Sequence, residues 1–191
     1  MDWLNDIKQN FSKRRIKNLD KSKEYRRDFI DIESAKRIGL IVNTTEISDE
    51  DYQLVLTYAE ALKKRKKEVV IVELNFQKKS EPRVTGFQTI IFVNPVNLNW
   101  LDYPTPEVEN KLLEQELDIL MDFDSSLRMT SKYLCSIARA KTRTGVHREG
   151  MESCYELMIT RQQEEENNMK GIIREFDYFL NMIDNGNKVK A

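Results

Sequence analysis

The sequence predicts an α/β domain on a mostly parallel sheet with helices on both faces, and three observations carry that prediction. Short apolar runs recur along the chain, nearly continuous instead of alternating, as strands buried on both faces require. Segments between them repeat apolar residues at helical spacing. The two kinds of segment alternate, which is the pattern of strand–helix–strand units with right-handed crossovers.

The first run, Arg37-Ile38-Gly39-Leu40-Ile41-Val42-Asn43, ends on a polar residue and reads as a strand. Ser48 then offers a helix cap, with Asp51 three residues on and Ile47 placed as a hydrophobic staple. Tyr52, Val55, Ala59 and Leu62 continue at helical spacing to about Lys64. The basic run Lys63-Lys64-Arg65-Lys66-Lys67 closes that helix as a solvated turn, its cations complementing the helix dipole. Residues 69–74 and 87–93 read as the second and third strands. The third stops at Asn94-Pro95, and Thr105 caps a short helix with Pro106 at its first position, running to about Gln115. Residues 117–123 form the fourth strand. Asp124-Ser125-Ser126 caps a helix from about Leu127 to Ala140, with Leu127, Leu134, Ile137 and Ala138 inward. Residues 142–146 and 154–160 are the fifth and sixth strands. Met169, Ile172, Ile173, Phe176, Phe179, Leu180 and Ile183 mark a strongly amphipathic last helix, ended by Asn185-Gly186.

Residues 1–34 read as a helical appendage, 35–186 as one α/β domain and 187–191 as a disordered tail. Within the appendage, Trp3, Leu4, Ile7 and Phe11 share one helical face, which suits packing on the domain or on a second copy. Residues 1–30 hold nine basic and five acidic residues, so a peripheral membrane contact stands as a less favoured alternative. The whole chain is nearly neutral, at a formal −1 from 31 basic and 32 acidic residues, and no nucleic-acid partner is expected. Hydrophobic residues make up 40% of the 191, enough for a real core. There is no apolar leader, and no run approaches the length needed to span a bilayer. The two cysteines, Cys135 and Cys154, lie in no CxxC pair, and Cys135 falls on a helix's apolar side. A reduced, cytoplasmic setting follows.

In an open parallel sheet, ligands bind beyond the carboxyl ends of the strands. That rule selects Asn43 and Thr44 after the first strand and Asn94 after the third. It selects Asp122, Asp124, Ser125 and Arg128 after the fourth, and His147 and Arg148 after the fifth. Asp124-Ser125-Ser126 at a helix start offers free N–H donors to an anion, although two carboxylates work against one. His147, the only histidine, could act as a general base or bind phosphate beside Arg148. One histidine and two separated cysteines make a zinc site improbable. The turn after the first strand, Asn43-Thr44-Thr45-Glu46-Ile47-Ser48, has no glycine. Neither the dinucleotide GxGxxG nor the P-loop is present, no GxSxG elbow appears, and no cofactor is expected.

Two resemblances rest on longer stretches. "RIGLIVN", "LNWLDYPTPE", "LDILMDFDSSLRMTSKYLCSIARAKTRTGVHREG", "CYELMI" and "FDYFLNMI" resemble a Bacteroidetes domain-of-unknown-function family over about residues 35–185. That resemblance implies a Rossmann-like or flavodoxin-like sheet and no particular activity. Residues 117–146, from Asp118 through Ser126-Leu127-Arg128 to Ile137-Ala138-Arg139-Ala140 and Gly145-Val146, are similar to part of the N-terminal domain of heptosyltransferases. Those enzymes bind a sugar nucleotide with a second domain, for which this chain has no room. The resemblance therefore implies fold alone, with Asp122, Ser126 and Arg128 as positional matches. The expectation is a non-catalytic binding or interaction module, with apolar stripes at both ends suited to a homodimer. The alternative is a small enzyme or anion-binding domain related to one half of a GT-B glycosyltransferase.

Overall fold

A computed structural model describes residues 28–45, 47–124, 126, 128–147, 153–160 and 169–183. Six strands form one sheet in the order β3-β2-β1-β4-β5-β6. They are β1 (Arg37–Asn43), β2 (Glu68–Leu74), β3 (Thr89–Val93), β4 (Leu117–Asp122), β5 (Ala140–Val146) and β6 (Leu157–Ile159), and every neighbouring pair is parallel. The helices are α1 (Asp49–Lys64), α2 (Pro106–Leu113), α3 (Met129–Ile137) and α4 (Met169–Met182). The chain winds outward from β1 to β3, returns to the middle at β4 and winds outward the other way. The reversal between β1 and β4 makes a switch point at their carboxyl ends.

Both faces are covered, which is why the strands read as unbroken apolar runs. On one face Ile38, Leu40, Ile71, Ile119 and Met121 meet Tyr52, Val55, Ala59 and Leu62 of α1 and Ile172, Phe176 and Leu180 of α4. On the other, Ile41, Val70, Val72 and Leu120 meet Val108 and Leu112 of α2 and Tyr133, Leu134 and Ile137 of α3. Residues 28–36 form no helix and pack onto the first of these faces, with Ile32 and Ala35 buried. There the Asp28 amide donates to the Lys141 carbonyl at 3.0 Å, and the Ile30 amide to Thr142 Oγ1 at 2.7 Å. The stripe at Trp3, Leu4, Ile7 and Phe11 and the Asn185-Gly186 stop lie outside the described residues.

Several boundaries differ from those the residues predict. α3 stops at Ile137 and not at Ala140, because the Arg139 carbonyl accepts the Leu117 amide at 2.8 Å and Ala140 pairs with Leu117. Here β-ladder pairing overrides helix propensity. β3 begins at Thr89, two residues late, and α2 ends at Leu113. β6 is three residues long, and Cys154 and Tyr155 turn inward ahead of it. Ser48 caps α1 as expected, its Oγ accepting the Asp51 amide at 3.0 Å. By contrast, Arg128 stands at the cap position of α3 without a side-chain cap bond, so Asp124 and Ser126 do not cap that helix. Thr105 likewise makes no side-chain cap bond to α2.

The basic run that ends α1 is solvated at Lys63, Lys64 and Lys66, but Arg65 and Lys67 are half-buried. Arg65 bonds Glu33 and, at 3.2 Å, Asp177 of α4. Lys67 Nζ donates to the carbonyls of Glu33 and Ala35 at 2.6 and 2.8 Å. These cations bind the entering segment to the domain, while Lys66 takes a left-handed turn at φ 62°.

Candidate functional site

The switch point holds a buried polar network. Asn43, the last residue of β1, donates from Nδ2 to Asp124 Oδ1 at 3.1 Å and to Ser126 Oγ at 3.4 Å. Ser126 Oγ donates to Asp124 Oδ2 at 2.8 Å, and the Ser126 amide to Asp124 Oδ1 at 2.9 Å. Asn43 Oδ1 accepts the Thr45 amide at 3.1 Å. All three side chains are buried. Short polar residues favour such local bonds to neighbouring backbone. The consequence is a bridge from the end of β1 to the loop after β4, across the crevice where a doubly wound sheet receives a ligand.

Thr44 turns away from that bridge. Its Oγ1 donates to Glu73 Oε1 at 3.0 Å. Glu73 is fully buried in β2, and its carboxylate also accepts the Arg83 and Val84 amides, each at 2.9 Å. This glutamate ties the loop after β2 onto the sheet. An acid inside an otherwise apolar strand was the signal for it in the sequence.

Asp122 is fully buried one layer below the bridge. Its Oδ1 accepts the Asp124 amide at 2.8 Å, and its Oδ2 accepts the Tyr155 hydroxyl at 2.5 Å. Cys135 Sγ lies 3.6 Å from the same oxygen. Burial, and next the charge of Asp122, push the Cys135 thiol well above its ordinary pKa, so it stays protonated and unreactive. Tyr155 reaches Asp122 by crossing Gly145, the register partner of Asp122. A Cβ at Gly145 would run into the Tyr155 ring. Beside them Arg143 is buried. It donates to both oxygens of Glu156, at 3.2 and 2.9 Å, and to the Cys135 carbonyl at 2.9 Å. Tyr155, Arg143 and Glu156 were not among the sequence-selected positions.

The other candidates stand apart. Asn94 caps the 3₁₀ turn Pro95–Asn97, accepting the Val96 amide at 3.1 Å, beside edge strand β3. Arg128 is exposed, with its guanidinium 4.1 Å from the centre of the Phe76 ring. His147 is exposed after β5, where its amide donates to the Ile159 carbonyl at 2.8 Å. Ser125 and Arg148 lie outside the described residues. The structure thus brings Asn43, Asp124 and Ser126 together, keeps Asp122 beneath them, and leaves Asn94 and His147 just beyond the ends of β3 and β5.

The first turn of α1 carries Asp49, Glu50 and Asp51. In dinucleotide-binding sheets this helix start receives the pyrophosphate; here three carboxylates oppose an anion. Among the described residues no group of three or more His, Cys, Asp or Glu could hold a metal ion. At the opposite, amino end of the strands lies a groove of about 350 Å³, lined in part by Arg37, Lys63, Lys67, Glu68 and Phe87. Its cations are already engaged: Arg37 with Glu68, Lys63 with Glu60 and the Gly86 carbonyl, Lys67 with the two carbonyls above.

An all-parallel 3-2-1-4-5-6 sheet covered by helices on both faces, with a polar network at its switch point, defines a Rossmann-like α/β domain. The chain belongs to DUF6913, a family of unknown function, whose model matches residues 8–183. Its fold is similar to that of a glycosyl transferase family 9 protein from Veillonella parvula DSM 2008, at a TM-score of 0.50 and 14% identity. That similarity covers 78% of this chain and 42% of the other, so the chain spans less than half of its structural neighbour. At such identity the likeness is one of fold. No curated protein matches the chain. Among the described residues no helix is long and apolar enough to cross a membrane.

Proposed function

We propose that this chain is a non-catalytic binding or interaction module. The observation that carries the reading is the bridge from Asn43 to Asp124 and Ser126. It occupies the switch-point crevice with the protein's own side chains. The reacting groups an enzyme would need there are dispersed: Asp122 is buried beneath Tyr155, and His147 is exposed beyond the end of β5. The loop after β3 supports a partner-binding role, since it holds out Val96 and Trp100, 85% and 65% exposed. An exposed tryptophan is a common anchor in protein interfaces.

A second reading is a domain that binds an anionic ligand, related to one half of a GT-B glycosyltransferase. Arg83 and Arg128 favour it, each guanidinium lying over an aromatic ring at the carboxyl edge. One experiment separates the two. The chain is titrated with ADP, NAD and UDP-glucose while its melting temperature is followed. A ligand present at a hundred times its Kd stabilises a fold by about 2.7 kcal/mol, a shift easily seen. A module that engages a protein partner, with its switch-point crevice closed by Asn43, expects no concentration-dependent rise. A rise that Asn43→Ala abolishes would overturn it.

A further inference from the structure

We propose that β3 pairs along its open edge with the β3 of a second copy, antiparallel about a twofold axis at Ile91, so that two six-stranded sheets join into one. The inference does not depend on whether the module binds a protein partner or an anion. In a strand, the backbone groups of alternate residues point to opposite edges. The Val93 carbonyl accepts the Asn75 amide, just past β2, at 2.9 Å. Thr89, Ile91 and Val93 therefore turn their backbone groups to β2, and Ile90 and Phe92 turn theirs outward. Among the described residues nothing bonds the outward amides and carbonyls of Ile90 and Phe92. Such a row is a template for another strand.

Natural sheets blunt an exposed edge with charge, proline or a bulge. In this chain 33% of residues are charged, yet residues 87–94 carry neither a charge nor a proline. β3 also pairs with β2 in unbroken register, without a bulge. The side chains repeat the pattern of the backbone. Ile91 and Val93 are buried in the core under α2 and α3. Ile90 and Phe92 are only half-buried, and the Phe92 ring belongs to neither core. The two residues whose backbone is open are thus the two whose side chains are incompletely covered.

The edge is complementary to itself, and that selects the occupant. Ile90 and Phe92 lie symmetrically about Ile91 and are the outward residues of the strand. Gln88 lies ahead of the strand, and the Asn94 amide past its end is taken by Asn97 Oδ1 at 3.2 Å. A twofold axis at Ile91 sets Ile90 of each copy opposite Phe92 of the other, and each such pair exchanges both backbone bonds. Every open group of the edge is then satisfied. The same pairs lay a β-branched side chain against an aromatic ring, a favourable cross-strand combination. Thr89 meets Val93 and Ile91 meets its own mate, so no like charges face each other. The contact is isologous and closes at two copies.

Light scattering of the full-length chain should give twice the 22.6 kDa of one copy, falling towards one copy on dilution. Phe92→Lys places a charge at a half-buried position outside both cores. It should return the mass to one copy and keep the circular-dichroism spectrum of the parent. Ile91→Cys reads the register independently. Ile91 and its mate form a pair at a Cα separation of about 4.5 Å, within disulfide reach. Oxidation of this variant by diamide should give a covalent dimer on a non-reducing gel. Thr89→Cys should give none, because its two copies are four residues apart along the strands, about 14 Å. The parent, with Cys135 and Cys154 buried, is the blank. The proposal is overturned if the parent keeps the mass of one copy at all concentrations, or if Phe92→Lys folds and stays dimeric. It is also overturned if Thr89→Cys cross-links as readily as Ile91→Cys, which would assign the dimer to another register or surface. Where Phe92→Lys fails to fold, the cysteine variants decide, and an Ile91→Cys chain that does not cross-link overturns the pairing.

Discussion

Arg143 brings a full positive charge into the layer between the sheet and α3, and Glu156 is what makes that tolerable. Its guanidinium spans the Glu156 carboxylate and the Cys135 carbonyl, with 2% of the side chain exposed. Removing one member of a buried pair leaves the other charged and without compensation, at about 3–5 kcal/mol, whereas replacing both by apolar groups costs far less. Glu156→Ala should therefore lower unfolding stability by about 3–5 kcal/mol in urea titrations. The double change Arg143→Met, Glu156→Leu should recover most of the loss. If the double variant is the less stable of the two, the pair is not held by charge compensation. Asp122 obeys the same logic on a smaller scale, because its burial depends on donors from Tyr155 and the Asp124 backbone.

Among the elements, the amino ends of β1, β4 and β5 are joined through one side chain. Asp118 Oδ2 accepts the Lys36 and Arg37 amides at 2.8 and 3.1 Å, and its Oδ1 takes Lys141 Nζ at 2.6 Å. Burial works to raise the pKa of this carboxyl. The bond to Lys141 and the two amides outweigh it and hold the group below its ordinary value. A depressed carboxyl contributes stability above its unfolded pKa, about 3.9, and that stability disappears as the pH falls through the lower folded value. Asp118→Asn should therefore flatten the fall in urea midpoint below about pH 4 and lower the midpoint at neutral pH. An acid limb as steep as in the parent would show that other carboxylates control it. The basic run after α1 belongs to this scale too. Its dipole role is visible in sequence, but its grip on residues 33–35 needs the entering segment to arrive there.

For the whole molecule, the winding order puts β1 and β4 in the middle and β3 and β6 at the edges. Opening energies follow burial and pairing, so amide exchange should be slowest in β1 and fastest, among the strands, in the three-residue β6. Equal protection across the sheet would contradict that gradient. The strands, the helices and their alternation were legible in the residues because apolar periodicity is local, and Ser48 as a cap was legible for the same reason. Asn43 and Asp124 were both selected by the strand-end rule, yet their union was not visible, since it needs β1 and β4 laid side by side. The end of α3 was misplaced because strand pairing at Ala140 overrides a helical pattern. By itself the sequence determined which stretches are buried on both faces, and hence a parallel sheet under helices, because each such stretch records its own surroundings in its composition. Only the tertiary structure decided which polar groups meet. Asp122 is buried under Tyr155, 33 residues away, across a glycine on the neighbouring strand, and hydrogen bonds of that reach form only once the strands are in register.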